Sequence, residues 1–292
     1  MISIQHFAWE RFFGRLYNKV LETDIFGSAA QTAFYFSFSI FPLIYFLVSL
    51  FGLALESADA LKSEVFAYLL RVMPLSAFEL VRRTVDEVVA NSSGGKLTLG
   101  LVITLWSASS GVDATRRALN AVYELKETRA WWRTKLESLG ITLVVTFLAA
   151  LTLAIVFYGT HLIDVVAVNL GIPNTSPLIL ISIQWLSILL LMLFACEIIF
   201  NLLPDFKRFQ WRWITPGSVV AIVLWLMLTS LFRLYIASFN SYDRTYGSLG
   251  AVIILMFWLY LTALVLMVGG AINSVISDMR EETEVAAEAS SN

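Results

Sequence analysis

Long apolar runs, separated by short clusters of charge, dominate the pattern of this chain. A helix needs about 20 mostly apolar residues to cross a hydrocarbon core of ~30 Å. Runs able to supply one predict spans over residues 29–55, 97–112, 138–163, 177–203, 214–239 and 246–276. The second is the shortest, reaching only about 24 Å at 1.5 Å per residue. It is kept because dropping it breaks the alternation of charge described below. The expected fold is all-α: a polytopic membrane bundle of six transmembrane helices over residues 25–277.

Shorter patterns fill the intervals. In "HFAWERFFGRLYNKVLE", Trp9, Phe12, Phe13, Leu16, Tyr17, Val20 and Leu21 recur at +3/+4 steps and make one apolar face. Residues 1–24 are therefore expected to form a cytoplasmic amphipathic helix, lying along the interface or packed on the bundle. Residues 56–96 read as a periplasmic helical loop. Ser76 and Glu79 there have capping-box spacing, and "NSSGG" at 91–95 is a stop. The last segment, 278–292, is acidic and is expected to be a disordered cytoplasmic tail.

Composition supports the membrane class. Of 292 residues, 58% are hydrophobic and 14% charged, against about 45–50% and 25% in soluble domains. Mean hydropathy is +0.76. The formal net charge of −2 gives no global basic field for nucleic acid. The first apolar run is too long for a cleavable signal and reads as an anchor. Cys196, the one cysteine, lies in an apolar run and reads as a packing residue. With six spans, the N-terminal segment, the second and fourth loops and the tail collect most of the Lys and Arg. Positive-inside bias then places both termini in the cytoplasm.

The segment "LWSASSGVDATRRALNAVYELKETRAWWR", residues 105–133, begins as a membrane helix and ends as a soluble surface. Continued as one helix, it puts Asp113, Arg116, Arg117, Asn120 and Glu124 on one side. Asp113 stands four residues before Arg117, the favourable order for a helical ion pair. The stretch reads either as a helix emerging beside an aromatic belt at Trp131 and Trp132, or as the polar wall of a solute or headgroup pocket that also includes Tyr123. The small residues "SASSG" let helices approach closely. A serine nucleophile fails on partners, because His161 and Asp113 are expected at opposite faces.

Two charges encroach on apolar spans, Glu197 and Arg233, and such residues are functional candidates. Their depths differ by about 12 Å on a rise of 1.5 Å per residue, so no bridge between them is expected. Arg116 or Arg117 is the expected partner of Glu197; Asp164 or Asp243 could serve Arg233. Pro42 is expected to bend the first span, for packing or to free carbonyls toward a cavity. Tyr242, Asp243, Tyr246 and Gly247 would shape the outer end of the last helix pair. No Cys/His cluster has ligand spacing, and the glycine pairs lack a phosphate-loop follower. No metal, cofactor or catalytic group is expected.

Three stretches, "AFYFSFSIFPLIYFLVSLFG" (33–52), "LWSASSGVDATRRALNAVYE" (105–124) and "SFNSYDRTYGSLGAVIILMFWLYLTALVLMVGGAIN" (238–273), resemble the hallmarks of the BrkB/YihY family. "NLLP" (201–204) and "WITPG" (213–217) match in the expected order. The resemblance implies a six-helix protein of the bacterial inner membrane. It also brings an old ribonuclease BN label, which no metal-ligand cluster or basic cleft in this chain supports. Other associations of the family are with resistance to host killing, envelope lipid handling and cation/proton exchange. Many relatives place an acidic residue just before the Asn273 position; here the run is Gly270-Ala271-Ile272. The expected function is a transporter-like or lipid-handling bundle, with membrane lipids and a small solute, ion or lipid as partners. No nucleic acid is expected, and a homo-oligomer is open. A non-transporting envelope scaffold is the alternative.

Overall fold

The computed structural model describes residues 9–55, 66, 82–83, 86, 95–169, 176–207, 211–238 and 248–291. Among them there is no strand, and the long helices are α1 (Trp9–Glu22), α2 (Ile25–Leu55), α3 (Gly95–Val122), α4 (Trp131–Asn169), α5 (Pro177–Leu202), α6 (Pro216–Ser238) and α7 (Ser248–Ser291). Four of them, α4 to α7, carry stretches long and apolar enough to cross a membrane. α5 hides only 6% of its apolar stretch inside the protein. Leu178, Trp185 and Leu186 on it are more than half exposed, a surface that suits lipid and not water.

The chain divides into two compact units, Tyr35–Val112 and the remainder, Met1–Phe34 with Asp113–Asn292. In the first, the small residues of α2 and α3 meet. Ser39 Oγ accepts the Gly111 amide at 3.1 Å and donates to the Ser107 carbonyl at 3.3 Å. A Cβ on Gly111 would stand 2.8 Å from the Phe36 ring. Helix α2 runs through Pro42 as one element. Of the expected loop 56–96, Phe66, Arg82, Arg83 and Asp86 are described and helical, and Gly95 and Lys96 already belong to α3.

In the larger unit, lipid supplies no hydrophobic drive between helices, so small residues and polar contacts must hold them. A Cβ on Gly217 would lie 2.0 Å from the Gly269 carbonyl oxygen, and one on Gly269 2.7 Å from that of Gly217. α6 and α7 therefore cross backbone to backbone. The next residue, Gly270, faces Leu119 near the end of α3.

α1 divides its apolar residues between two environments. Phe12 and Leu16 pack on Val268, Ile272, Val275, Ile276 and Met279 of α7. Trp9, Phe13, Tyr17 and Leu21 stay more than half exposed. Asp24, with φ of 45°, turns the chain into α2 and accepts the Gly27 amide at 3.2 Å.

Two expectations are corrected. Over residues 278–291 the expected disordered tail is helical: α7 continues to Ser291. Nucleation is the costly step of helix formation, and the apolar half of α7 has already met it. Glu and Ala then propagate well, aided by Arg280–Glu284 at 2.9 Å and Arg15–Glu282 at 2.8 Å. α4 also starts earlier than residue 138, taking Arg133, Lys135 and Glu137 into its first turns.

Candidate functional site

α6 begins with Thr215 ahead of Pro216, a hydroxyl cap followed by a residue that needs no amide partner. The Ser218 amide lies 3.3 Å from Thr215 Oγ1. The Thr215 amide and the hydroxyls of Thr215 and Ser218 are met by a carboxylate from another helix. Glu197 of α5 is 1% exposed. It accepts from the Thr215 amide at 2.6 Å, Thr215 Oγ1 at 3.0 Å, Ser218 Oγ at 2.5 Å and Asn201 Nδ2 at 3.1 Å. A buried carboxylate is costly unless hydrogen-bonded, and a helix start offers both free amides and positive potential.

Two asparagines complete the cluster. Asn201 exchanges hydrogen bonds with the Arg212 backbone, donating to its carbonyl at 3.1 Å and accepting its amide at 3.0 Å. Asn273 of α7 accepts the Gly217 amide at 2.8 Å and donates to Thr215 Oγ1 at 3.0 Å. The stretches "NLLP", "WITPG" and "GGAIN" thus converge on the first turn of α6. Burial pushes the Tyr123 phenol well above its ordinary pKa, against the pull of Asn273 and Arg212.

A second polar region joins the end of α3, the loop after it, the start of α4 and the end of α5. Asp113 pairs with Arg116 at 3.0 Å and Lys135 at 2.9 Å, and accepts the Ser138 hydroxyl. Arg129 is the hub: it bonds Glu127 at 2.8 Å, Glu137 at 2.7 Å and the Leu203 carbonyl at 2.8 Å, with Asp205 at 3.6 Å. Asn120 donates to Glu127 at 3.1 Å and accepts the Asp205 amide at 2.9 Å. Burial raises the Asp205 carboxyl, but Thr128, Arg129 and Arg133 outweigh it and hold it below its usual range. Glu127 is likewise held low, chiefly by Arg129. Arg116 is buried; its Nε lacks a hydrogen bond, and desolvation lowers its pKa despite Asp113 and Glu127.

Beside this lattice, a cleft of about 510 Å³ separates α4 from α5. Gly140, Ile141, Val144, Ile198 and Leu202 line its apolar part; Arg129, Arg133, Glu137 and Asp205 lie at its charged end. Nothing stands within 4 Å of a Cβ built on Gly140.

Asp113, Arg116 and Asn120 are brought together, but inside the lattice and not at an open mouth. Asp113 pairs with Arg116 and Lys135 where Arg117 was expected; α4 packs on that side, and Arg117 is exposed. Glu197 meets neither Arg116 nor Arg117, because the start of α6 fills its surroundings with neutral donors. Arg233 lies exposed on α6, apart from these groups. Tyr242, Asp243, Tyr246 and Gly247 fall outside the described residues, and the side chain of Asp164 is not described either. Sequence reasoning passed over Arg129, Asn201, Thr215, Ser218 and Asn273; the Thr-Pro start signal of α6 was the available clue. Among the described residues, no group of three or more His, Cys, Asp or Glu could hold a metal ion.

Residues 16–292 match the family model described as Virulence factor BrkB. A protein of Bacillus subtilis (strain 168) named ribonuclease-like, YfkH, is 28% identical over 250 residues, covering 86% of this chain and 89% of that protein. A UPF0761 membrane protein of Mannheimia succiniciproducens is 22% identical over 282 residues, covering 92% of this chain and 90% of its own length. A UPF0761 membrane protein of Xanthomonas axonopodis pv. citri is 25% identical over 289 residues. That match takes in 97% of this chain but 63% of the longer relative. No solved structure matches.

Proposed function

Since the chain belongs to the BrkB family of membrane proteins, we propose that it is a six-span inner-membrane protein, with both termini cytoplasmic, that handles lipid. The α4–α5 cleft carries this reading. It joins an apolar wall to a charged rim, the two chemistries of an amphiphile, and its volume of about 510 Å³ falls in the range of ligand pockets, roughly 300–1,000 Å³. The exposed Trp131, Trp132 and Trp213 suit the headgroup level at this end of the bundle, and the positive-inside count makes that the cytoplasmic leaflet.

The test is transbilayer movement of a fluorescent phospholipid in vesicles containing the purified protein, followed by quenching the outer leaflet. Movement several-fold faster than in protein-free vesicles, and abolished by Gly140→Trp, is the expected result. A rate equal to that of empty vesicles would instead favour a non-transporting scaffold. The extensively paired lattice around Arg129 supports that second reading, because such a lattice stiffens the bundle without leaving a path.

A further inference from the structure

The charges at the cleft's end specify more than an amphiphile. Arg129 is committed: its Nε and both terminal nitrogens are engaged by Glu127, Glu137 and the Leu203 carbonyl. Arg133 is not. Its side chain is 63% exposed and binds Glu137 through Nε at 3.0 Å. Among the described residues, its two terminal nitrogens make no hydrogen bond, leaving a planar fork suited to a phosphate.

The carboxylates keep capacity of the opposite kind. Asp205 Oδ2 receives both donors of Thr128, whereas Oδ1 has only the 3.6 Å approach of Arg129. Glu137 spends one bond on each oxygen, to Arg133 and Arg129. A carboxylate has about four acceptor positions, so both groups can take further N–H donors. The lining holds two guanidinium groups and two carboxylates. An anionic headgroup meets no excess positive charge there and leaves the spare acceptor positions of the carboxylates unfilled. A quaternary ammonium has no N–H to give them. A primary ammonium two carbons from a phosphate satisfies both halves.

We infer that the α4–α5 cleft binds a glycerophospholipid whose headgroup carries both a phosphate and a primary ammonium. The phosphate meets Arg133, the ammonium meets Asp205 and Glu137, and the upper part of one acyl chain lies along Ile141, Val144, Ile198 and Leu202. This rests on the lipid-handling reading of the same cleft and adds the headgroup chemistry.

The test is native mass spectrometry of the full-length protein in detergent, titrated with phosphatidylethanolamine, phosphatidylcholine and phosphatidylglycerol of identical chains. Phosphatidylethanolamine should bind about tenfold tighter than either of the others, the scale of one charged hydrogen-bond set. Gly140→Trp, which enters open space, should remove that binding while the protein stays monodisperse. Asp205→Asn should bring phosphatidylethanolamine down to the level of phosphatidylcholine. If Asp205→Asn fails to fold, Glu137→Gln makes the same measurement. Equal retention of all three lipids, lost together in Gly140→Trp, would overturn the headgroup inference and leave lipid binding in the cleft intact. Lipid retention unchanged by Gly140→Trp would overturn both.

Discussion

The cluster at Glu197 and the lattice at Arg129 both tie α5 to its neighbours, but with different chemistry. Glu197 is a single buried carboxylate held by amides, hydroxyls and an asparagine. Arg129 is a cation among three carboxylates, two of them about one-third exposed. Where water is absent, fixed neutral donors stabilise one charge without requiring that a second be desolvated. Nearer the aqueous edge, opposite charges can be gathered, and there they remain open to salt and pH. The contrast separates a buried joint that holds helices from a charged cluster that is partly open to solvent.

The largest expected effect comes from removing the Glu197 carboxylate. Glu197→Ala takes the acceptor from the Thr215 amide and hydroxyl and leaves Ser218 and Asn201 only their backbone acceptors, and should cost on the order of 3 kcal/mol or more. Thermal unfolding in detergent measures it, and a loss below about 0.5 kcal/mol would show the donors satisfied in another way. Arg129→Ala should cost less, about 1–3 kcal/mol, and its effect should shrink in high salt while that of Glu197→Ala does not. Equal salt response of the two variants would erase the distinction drawn above.

Acidification gives the smallest effect near neutrality. Asp205 and Glu127 have folded pKa values below their ordinary 3.8 and 4.5. Their contribution is therefore fully present above those ordinary values and is lost as pH falls through the folded ones. The melting temperature of the wild type should show no loss from this source between about pH 8 and 5, then fall below about pH 4. Arg129→Ala should flatten that acid limb. An unchanged limb would assign acid sensitivity to groups elsewhere.

The helical class and the apolar runs were legible in sequence because each is a local signal: run length and charge spacing. The partners were not. Thr215 and Ser218 lie 18 and 21 residues from Glu197, beyond the reach of any helical spacing rule. The i,i+4 rule selected Arg117 for Asp113, but Arg116 at i+3 and Lys135, 22 residues away, occupy it once α4 packs alongside. The tail failed for a related reason. Composition describes 278–292 as an isolated acidic peptide, whereas in the protein it extends a finished helix and lies against Arg15.

That extension makes α7 a long arm. Its 44 residues measure about 66 Å at 1.5 Å per residue, far beyond the ~30 Å of a bilayer core. Thirteen residues, about 20 Å, separate the close crossing at Gly269 from the Glu282 clasp on Arg15. Phe12 and Leu16 pack on this same arm between those two points, so a tilt of about 10° at the crossing would carry α1 with it, moving the clasp by more than 3 Å. The position of α1 is thus coupled to the angle at which α6 and α7 cross.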